Sequence, residues 1–257
     1  MRTFVMGDIH GRYQALLQCL ERSGFDRSRD RLIQLGDVVD RGPGSYDCVE
    51  ELLSIKNLVA LRGNHDEWFR HFLAKGWHPS GWELGAVATA QSYLRLTGRE
   101  RLVKKGNSGW KTALEPGEVP AAHKEFFEKQ VDWFIDEDNN CFVHAGFDRL
   151  LPFSEQYGQS IYYWDRSLWQ EALAWLAGHL QNRGCEPFYV KTAFNNIFLG
   201  HTSTVNWKKD KPMKAAHIYN LDTGAGGQGR LTIMDVATKK FWQSDPVTDE
   251  GGPKGDG

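Results

Sequence analysis

Five short apolar runs of this chain are each followed closely by a glycine-containing turn that carries aspartate, asparagine or histidine side chains. The five turns are Gly7-Asp8-Ile9-His10-Gly11, Gly36-Asp37-Val38-Val39-Asp40-Arg41-Gly42, Gly63-Asn64-His65-Asp66, His144-Ala145-Gly146 and Gly200-His201-Thr202. Segments of helical periodicity follow the first two turns, which is the pattern of βαβ units. Open α/β sheets place their sites where strands end. The pattern therefore predicts an α/β fold whose functional site is built from strand-end loops.

The secondary structure predicted from the sequence follows the same apolar runs. Strands are expected at residues 4–6, 32–35, 58–61, 141–143 and 196–199, with helices after the first two strands and at residues 168–180. A final hairpin is expected to pair residues 216–221 with residues 231–236, because four glycines punctuate the stretch between them. These elements predict alternating strands and helices over most of the chain.

Residues 1–250 are expected to form a single domain, because α/β folds of this length often close around one core. Residues 67–136 are less regular, and their tryptophans stand among glycine and proline. They predict an elaboration over the site with a helix at residues 121–133, although tryptophans that fill a second small core would give the same pattern. Residues 251–257 offer nothing to bury and predict a disordered tail.

The composition, with 40% hydrophobic and 25% charged residues, is that of a globular protein. A formal net charge of −2 supplies no positive field that would collect nucleic acid or an anionic membrane, so neither partner is expected. The sequence contains no apolar run of about 18 residues that could span a bilayer, and we expect no signal peptide before the first strand. We predict a cytoplasmic protein. The four cysteines form no CxxC pair, which indicates reduced thiols rather than a zinc ribbon or a disulfide framework.

The five turns supply enough ligands for two metal ions. The candidate ligands are Asp8, His10, Asp37, Asn64, His144 and His201. Mixed carboxylate, imidazole and amide ligands without thiolate suit manganese, iron or zinc, and we expect two divalent ions, manganese first. A carboxylate such as Asp37 can bridge ions about 3.5–4 Å apart, and such a pair lowers the pKa of a shared water to give a hydroxide nucleophile. One Asp or His after a strand is more often a turn former, so the prediction depends on the whole set.

The ordered set resembles the calcineurin-like metallophosphoesterases, and more closely their phosphoprotein phosphatase branch, which includes the phage lambda-type and bacterial serine/threonine protein phosphatases. The resemblance runs from Gly7 to the turn Leu221-Asp222-Thr223-Gly224 and the strand after it, and it is weak between Trp68 and Trp133. It implies a four-layer αββα sandwich of two mixed β-sheets flanked by helices. Many relatives outside the phosphatase branch carry GHxH at the last motif, whereas in this chain Ser203 occupies the position of the second histidine. That difference favours the phosphatase branch.

The resemblance also implies the roles of the site residues. Asp8, His10 and Asp37 would hold one metal, and Asp37, Asn64, His144 and His201 would hold the other. His65 would be the general acid for the leaving oxygen, oriented by Asp40, and such acids typically contribute about 10²–10⁴-fold. Arg41 and Arg166 look like phosphate clamps, because guanidinium forks match phosphate oxygens. Arg62 is either a third substrate-binding arginine or a brace for a carboxylate.

The predicted activity is the hydrolysis of phosphate esters by a serine/threonine phosphatase of narrow or broad specificity. Its substrate is expected to be a phosphoprotein or a small phosphate ester. The Trp-x-Arg segment at residues 164–166 and the stretch from Gly200 to Gly224 are similar to protein phosphatases.

Two departures favour an alternative, a symmetrical diadenosine tetraphosphate hydrolase. Asp66 replaces the glutamate of the usual GNHE motif, and Arg41-Gly42-Pro43-Gly44-Ser45 is similar to those hydrolases. An alternative of another class is a non-catalytic binding module stabilised by its metals. The presence of both His65 and Arg41 argues against that module, because a structural metal needs neither.

Overall fold

The fold is that of a computed structural model, which describes residues 1–79, 81–82, 85–99, 104–106, 109–111, 113–181 and 186–248. For residues 104–106 and 109–111 it describes the backbone alone. The predicted tail at residues 251–257 lies outside the described residues, as does Cys185.

Strands and helices alternate along much of the chain. The strands are β1 (Thr3–Met6), β2 (Arg31–Gln34), β3 (Asn57–Ala60), β4 (Lys104–Gly106), β5 (Gly109–Lys111), β6 (Trp133–Ile135), β7 (Cys141–Val143), β8 (Ile197–Leu199), β9 (Met213–Ala215), β10 (Ile218–Asn220), β11 (Thr232–Asp235) and β12 (Phe241–Gln243). The helices are α1 (Tyr13–Ser23), α2 (Ser45–Leu53), α3 (Asn64–Lys75), α4 (Ala86–Leu94), α5 (Ala121–Lys129), α6 (Ile161–Trp164) and α7 (Ser167–Leu180).

Two mixed sheets form the centre of the part of the chain that the structure describes. The first has the strand order β12-β11-β1-β2-β3, in which β1, β2 and β3 are parallel. The second has the order β6-β7-β8-β10-β9, in which β7, β8 and β10 are parallel. The outer partners in both sheets are antiparallel. In each sheet the carboxyl ends of three parallel strands therefore lie at the same edge.

The two sheets pack face to face through an apolar layer that includes Val5 and Phe142. On the outer face of the first sheet, Leu16 of α1 packs in one core with Phe4. On the outer face of the second sheet, Trp169 of α7 packs in another. Because the central strands are covered on both faces, they are continuously apolar rather than alternating. These layers confirm the predicted αββα sandwich.

The predicted strands at residues 4–6, 32–35, 58–61, 141–143 and 196–199 are confirmed to within a residue at either end, as is the helix at 168–180. The first helix ends where Gly24 adopts a left-handed conformation (φ 61°) and its N–H bonds back to the last turn. No helix of the described residues is long and apolar enough to cross a membrane.

The predicted hairpin between residues 216–221 and 231–236 is wrong. Strand β10 pairs with β8 and β9 in the second sheet, whereas β11 pairs with β1 and β12 in the first. Both strands are largely buried and find partners in different sheets. The glycine-rich residues 224–229 therefore carry the chain from one sheet to the other instead of closing a tight turn.

The region of residues 67–136 is more regular than predicted, because helices α3, α4 and α5 occupy much of its described part. The helix predicted at 121–133 ends at Lys129, and Trp133 begins strand β6. The chain leaves the helix because Val131 pairs with the end of the first sheet: its N–H donates to the carbonyl of Ala60, and its carbonyl accepts from the N–H of Arg62.

Candidate metal centre and active-site cleft

A cleft of about 350 Å³ opens where the parallel strands of both sheets end. Its lining includes predicted site residues from five separate loops, namely His10, Asp37, Arg41, Asn64, His65, Arg166 and His201. Asp8 and His144 are not among the lining residues, but both are buried and lie within two residues of the ends of β1 and β7. The fold thus brings together side chains that are far apart in sequence.

Asp37 lies at the centre of this group. Its Oδ2 atom is 3.6 Å from Nε2 of His10 and 3.5 Å from Nε2 of His144. Its Oδ1 atom accepts the backbone N–H of His65 at 2.9 Å. A Cβ at Gly63 would overlap the Asp37 carboxylate, so the close approach of these two loops requires glycine there. One carboxylate oxygen is therefore placed between two imidazoles, as a ligand shared by two ions would be.

The two imidazoles beside Asp37 are held by backbone carbonyls. Nδ1 of His10 is 3.0 Å from the carbonyl of Val39, and Nδ1 of His144 is 2.8 Å from the carbonyl of Leu35. A carbonyl can only accept, so in each ring Nδ1 carries the proton and Nε2 is left with a free lone pair. This arrangement is typical of histidines that ligate metals.

The remaining candidate ligands complete two adjoining groups. Oδ1 of Asn64 is 3.2 Å from Nε2 of His144, and the carboxylate of Asp8 accepts the backbone N–H of His201 at 3.0 Å. Ligand atoms of Asp37, His144 and His201 all lie within 4.8 Å of one another, as do those of His10, Asp37 and His65. The two groups share Asp37.

Several site residues have left-handed backbone conformations, which are uncommon for residues other than glycine. The positive φ angles belong to His10 (51°), Asp37 (56°), Asp40 (73°), Arg41 (67°) and His201 (64°). Such conformations cost of order 1–3 kcal/mol each and persist only where the surrounding structure imposes them. Their concentration here indicates that the loops are shaped for the placement of these side chains.

The electrostatics of the site favour a bound cation. Burial raises the pKa of Asp8 well above its usual range, and the carboxylates of Asp222 and Asp37 raise it further. Burial lowers the pKa of His10 to about 3 and that of His201 to about 2, so both rings are neutral near pH 7, which is the form that binds metal.

The donor set fits divalent metal ions. Nε2 of His201 is buried and has no hydrogen-bond partner, which is costly unless a ligand occupies that position. Oxygen and imidazole donors without thiolate are the ligands of manganese, iron and zinc. The residues around Asp37 could therefore hold such ions.

His65 and Asp40 form a buried pair beside these groups. Nδ1 of His65 lies 2.7 Å from Oδ2 of Asp40, so Nε2 is the ring nitrogen left for the cleft. Burial by itself would lower the pKa of His65, but the carboxylates of Asp37 and Asp40 hold it above its usual value. The ring is also close enough to His10 and Asp37 to serve as a ligand, but its carboxylate partner suits an acid.

The three arginines differ in their surroundings. Arg41 and Arg166 are exposed and line the cleft, with Arg166 donating to the hydroxyl of Thr202 at 3.1 Å. Arg62 is not among the lining residues. It donates to Asp132 at 3.0 Å and to the carbonyl of Gln130 at 3.0 Å. Of its two predicted roles, this geometry matches the brace for a carboxylate and does not support the substrate contact.

Two acidic residues of the site stand in the quoted motifs but were not among the predicted site residues. Asp222 follows β10, lines the cleft, and has its pKa raised to about 6 by burial. It shows the same signal as the other motifs, a polar residue at a strand end, but the wrong hairpin concealed it. Asp66 is fully buried and accepts the N–H groups of Val38 and Gly63, so it ties together the loops of two candidate ligands.

Comparison with known proteins agrees with this geometry. The family model for calcineurin-like phosphoesterases matches residues 1–203. Serine/threonine-protein phosphatase 1 of Salmonella typhimurium is 27% identical over 240 positions that cover 91% of both chains. A symmetrical bis(5'-nucleosyl)-tetraphosphatase of Coxiella burnetii is 41% identical over 287 positions that cover 94% of this chain and 92% of the relative.

The fold also matches solved structures. The cold-active protein-tyrosine phosphatase of a psychrophilic Shewanella species superposes with a TM-score of 0.58, covering 95% of this chain and 80% of that one. The sequence identity in that pair is 14%, so the likeness shows a shared fold.

Proposed function

Because the chain belongs to the calcineurin-like phosphoesterase family, we propose that it is a serine/threonine phosphoprotein phosphatase with two divalent metal ions, preferably manganese, and with iron or zinc as alternatives. The observation that carries the proposal is one cleft lined by a candidate shared ligand, a carboxylate-held histidine and two exposed arginines. These residues are Asp37, His65, Arg41 and Arg166. They supply what hydrolysis of a phosphate monoester requires.

The proposed ligands of the first ion are Asp8, His10 and Asp37, and those of the second are Asp37, Asn64, His144 and His201. When bound, such ions lower the pKa of a water molecule and neutralise charge on the phosphoryl oxygens. The position of the Asp37 carboxylate between two imidazoles supports its role as the shared ligand.

The other residues would bind the phosphate and move a proton. Arg41 and Arg166 would hold the phosphoryl oxygens, since guanidinium groups bind phosphate bidentately. As the P–O bond breaks, its electron pair passes to the leaving oxygen, which takes the proton of His65 from Nε2. Asp40 would keep the other ring proton on Nδ1 and stabilise the charged imidazolium before transfer.

Two observations favour a phosphoprotein as the substrate. Arg166 of the Trp-x-Arg segment and Ser203, the residue that distinguishes this chain from relatives with GHxH, both line the cleft. The alignment with the Coxiella tetraphosphatase spans 287 positions, more than the 257 residues of this chain, so that relative has inserted segments that this chain lacks. The Salmonella phosphatase aligns over 240 positions, without such an excess.

The second candidate is a symmetrical dinucleoside tetraphosphate hydrolase. Its specific support is the 41% identity with the Coxiella enzyme, which exceeds the 27% identity with the Salmonella phosphatase. Both activities would use the same metal ligands, so the geometry of the centre does not separate them. A non-catalytic binding module has less support, because His65 and both arginines face the cleft.

A direct comparison of substrates tests the proposal. The purified protein with Mn²⁺ would be assayed on a phosphoserine peptide, a phosphotyrosine peptide and diadenosine tetraphosphate, and the kcat/KM values compared. We expect the highest value for the phosphoserine peptide. A higher value for diadenosine tetraphosphate would transfer the assignment to the second candidate, and no turnover of any of them would favour the binding module.

A further inference from the structure

Asp40, which holds His65, is itself held by two residues that lie far from it in sequence. Its Oδ2 atom accepts a hydrogen bond from Nε1 of Trp82 at 2.9 Å, and its Oδ1 atom accepts one from the hydroxyl of Thr89 at 2.7 Å. The same hydroxyl oxygen accepts the backbone N–H of Asp40 at 2.8 Å. Both carboxylate oxygens therefore receive charge-assisted hydrogen bonds, which are about twice as strong as neutral ones.

These contacts are shielded from water. Asp40 and Thr89 are fully buried and Trp82 is 1% exposed. The Trp82 ring packs against Phe69 and Phe72, with ring centroids 5.9 Å and 5.5 Å away. In such surroundings hydrogen bonds strengthen, and an unsatisfied group becomes costly. The orientation of the carboxylate is therefore fixed by its donors rather than by solvent.

The backbone around Thr89 is also docked against the turn that contains Asp40. The carbonyl of Gly85, just before α4, accepts the N–H of Arg41 at 3.1 Å. Gly85 has a φ of 91°, and a Cβ at this position would overlap the backbone N of Arg41. Helix α4 thus begins in direct contact with the strained turn, and its first turns carry the hydroxyl to the carboxylate.

We propose that Trp82 and Thr89 are positioning residues for proton transfer by His65. They fix the carboxylate of Asp40 so that Oδ2 keeps the Nδ1 proton of His65 in place and the ring presents Nε2 to the cleft. Without these donors the carboxylate can rotate about its side-chain bonds, and the ring loses its fixed tautomer and direction. The inference rests on the proposed acid role of His65.

Three variants test this proposal. Trp82→Phe keeps an aromatic ring between Phe69 and Phe72 but removes the N–H donor. Thr89→Val removes the hydroxyl at nearly constant volume, and Thr89→Ser restores it. The two Thr89 variants change the packing of the core less than Trp82→Phe does. They therefore keep the test informative if the tryptophan variant fails to fold.

Ser92→Ala is the matched control. Ser92 lies on the same helix, is 2% exposed, and also accepts a backbone N–H, that of Tyr46, at 2.9 Å. Its hydroxyl is bonded to Tyr46 rather than to Asp40. Loss of this hydroxyl should weaken the attachment of α4 to α2 without affecting the orientation of His65.

The measurement is kcat of the Mn²⁺-loaded protein on phenyl phosphate and on nitrophenyl phosphate, together with metal content and Tm. Phenolate needs a proton more than nitrophenolate does. For Trp82→Phe and Thr89→Val we expect a loss of about 10–100-fold on phenyl phosphate, by analogy with the partners that orient metal-ligating side chains. The loss on nitrophenyl phosphate should be clearly smaller. Thr89→Ser should recover most of the activity, and Ser92→Ala should lower Tm with the ratio of the two kcat values unchanged.

Equal losses on both substrates for Trp82→Phe and Thr89→Val would overturn the proposal, as would an altered ratio in Ser92→Ala. The variant His65→Asn separates this failure from that of the proposed function. If His65→Asn changes the ratio and the two positioning variants do not, only the positioning role is lost. If His65→Asn leaves the ratio unchanged, the acid role and the positioning role are both overturned.

Discussion

Nδ1 of His65 lies 2.7 Å from Oδ2 of Asp40, and the two side chains are 6% and 0% exposed. This pair predicts that His65→Asn slows poor leaving groups selectively. A serine alkoxide needs a proton as it departs, whereas nitrophenolate is already stable near neutral pH. The loss on a phosphoserine peptide could reach roughly 10²–10⁴-fold, the usual scale of general acid catalysis, and the loss on nitrophenyl phosphate should be much smaller.

Steady-state kcat values on the two substrates would check this prediction, with metal content measured in parallel. The control is His201→Asn, which should slow both substrates alike because a metal ligand acts whatever group departs. Equal losses in His65→Asn at full metal content would leave His65 as a phosphate-binding or structural residue.

Removal of the metal ions should abolish activity, and Mn²⁺ should restore it. Asp37→Asn should be the most damaging ligand substitution, because one carboxylate oxygen of Asp37 lies near imidazoles of both groups. Metal content by elemental analysis and kcat after dialysis against a chelator would be measured. Asp47→Asn, which changes a carboxylate paired with Arg95 outside the cleft, should behave like the parent protein. Full turnover in excess chelator would contradict the proposed mechanism.

Two adjacent glycines of the cleft should respond differently to alanine. A Cβ at Gly226 would overlap the ring of His10 and approach the side chain of Arg41, whereas a Cβ at Gly227 would meet its nearest neighbour at 3.8 Å. Gly226→Ala should therefore displace a candidate ligand and lower kcat/KM strongly, and Gly227→Ala should have little effect. Similar activities for the two variants, measured on nitrophenyl phosphate, would refute this reading of the loop.

Conservative replacement of two arginines should separate substrate binding from structural support. Arg166→Lys should raise KM by roughly 10–100-fold, which corresponds to one hydrogen bond to a charged group of about 1.5–3 kcal/mol. Arg62→Lys should leave KM nearly unchanged and instead lower the free energy of unfolding by about 1–3 kcal/mol, because Arg62 bonds to Asp132 and to a buried carbonyl. A raised KM in Arg62→Lys at unchanged stability would instead indicate that Arg62 binds the substrate.

A histidine outside the cleft should make stability depend on pH. His123 is fully buried between the hydroxyl of Tyr93 and the carboxylate of Glu50, and burial lowers its pKa. The unfolded chain therefore binds a proton at a higher pH than the folded protein does, so stability falls as the pH drops through the ordinary histidine pKa of about 6.5. Urea unfolding of His123→Gln between pH 5 and pH 8 should show a shallower fall than the parent, while the exposed His179→Gln should not.

The candidate ligands could be predicted because each belongs to a local sequence pattern, a polar residue within a few positions of a strand end. Parallel strands then bring such residues together without any further information in the sequence. The same reasoning would have found Asp222, had residues 218–220 not been assigned to a hairpin. The glycines after Asp222 indicated a turn. They did not indicate that the strands on either side of it pair in different sheets.

The supports of the site could not be predicted in this way. Trp82 lies 42 positions from Asp40 and Thr89 lies 49 positions from it, and no local pattern marks an indole that will face a carboxylate. Arg62 is beside a candidate ligand in sequence, yet its direction is set by Asp132, 70 positions away. Such contacts depend on how helices pack over the sheet, which periodicity does not encode.

Among residues of the described chain other than glycine, five of the nine with positive φ belong to the site: His10, Asp37, Asp40, Arg41 and His201. Glycine would adopt this conformation at a lower steric cost at each of these positions. A laboratory selection for heat resistance alone would therefore be expected to enrich substitutions at these positions. The selected variants would be expected to be more stable but inactive, because the strained backbone that places the site residues lowers the stability of the protein.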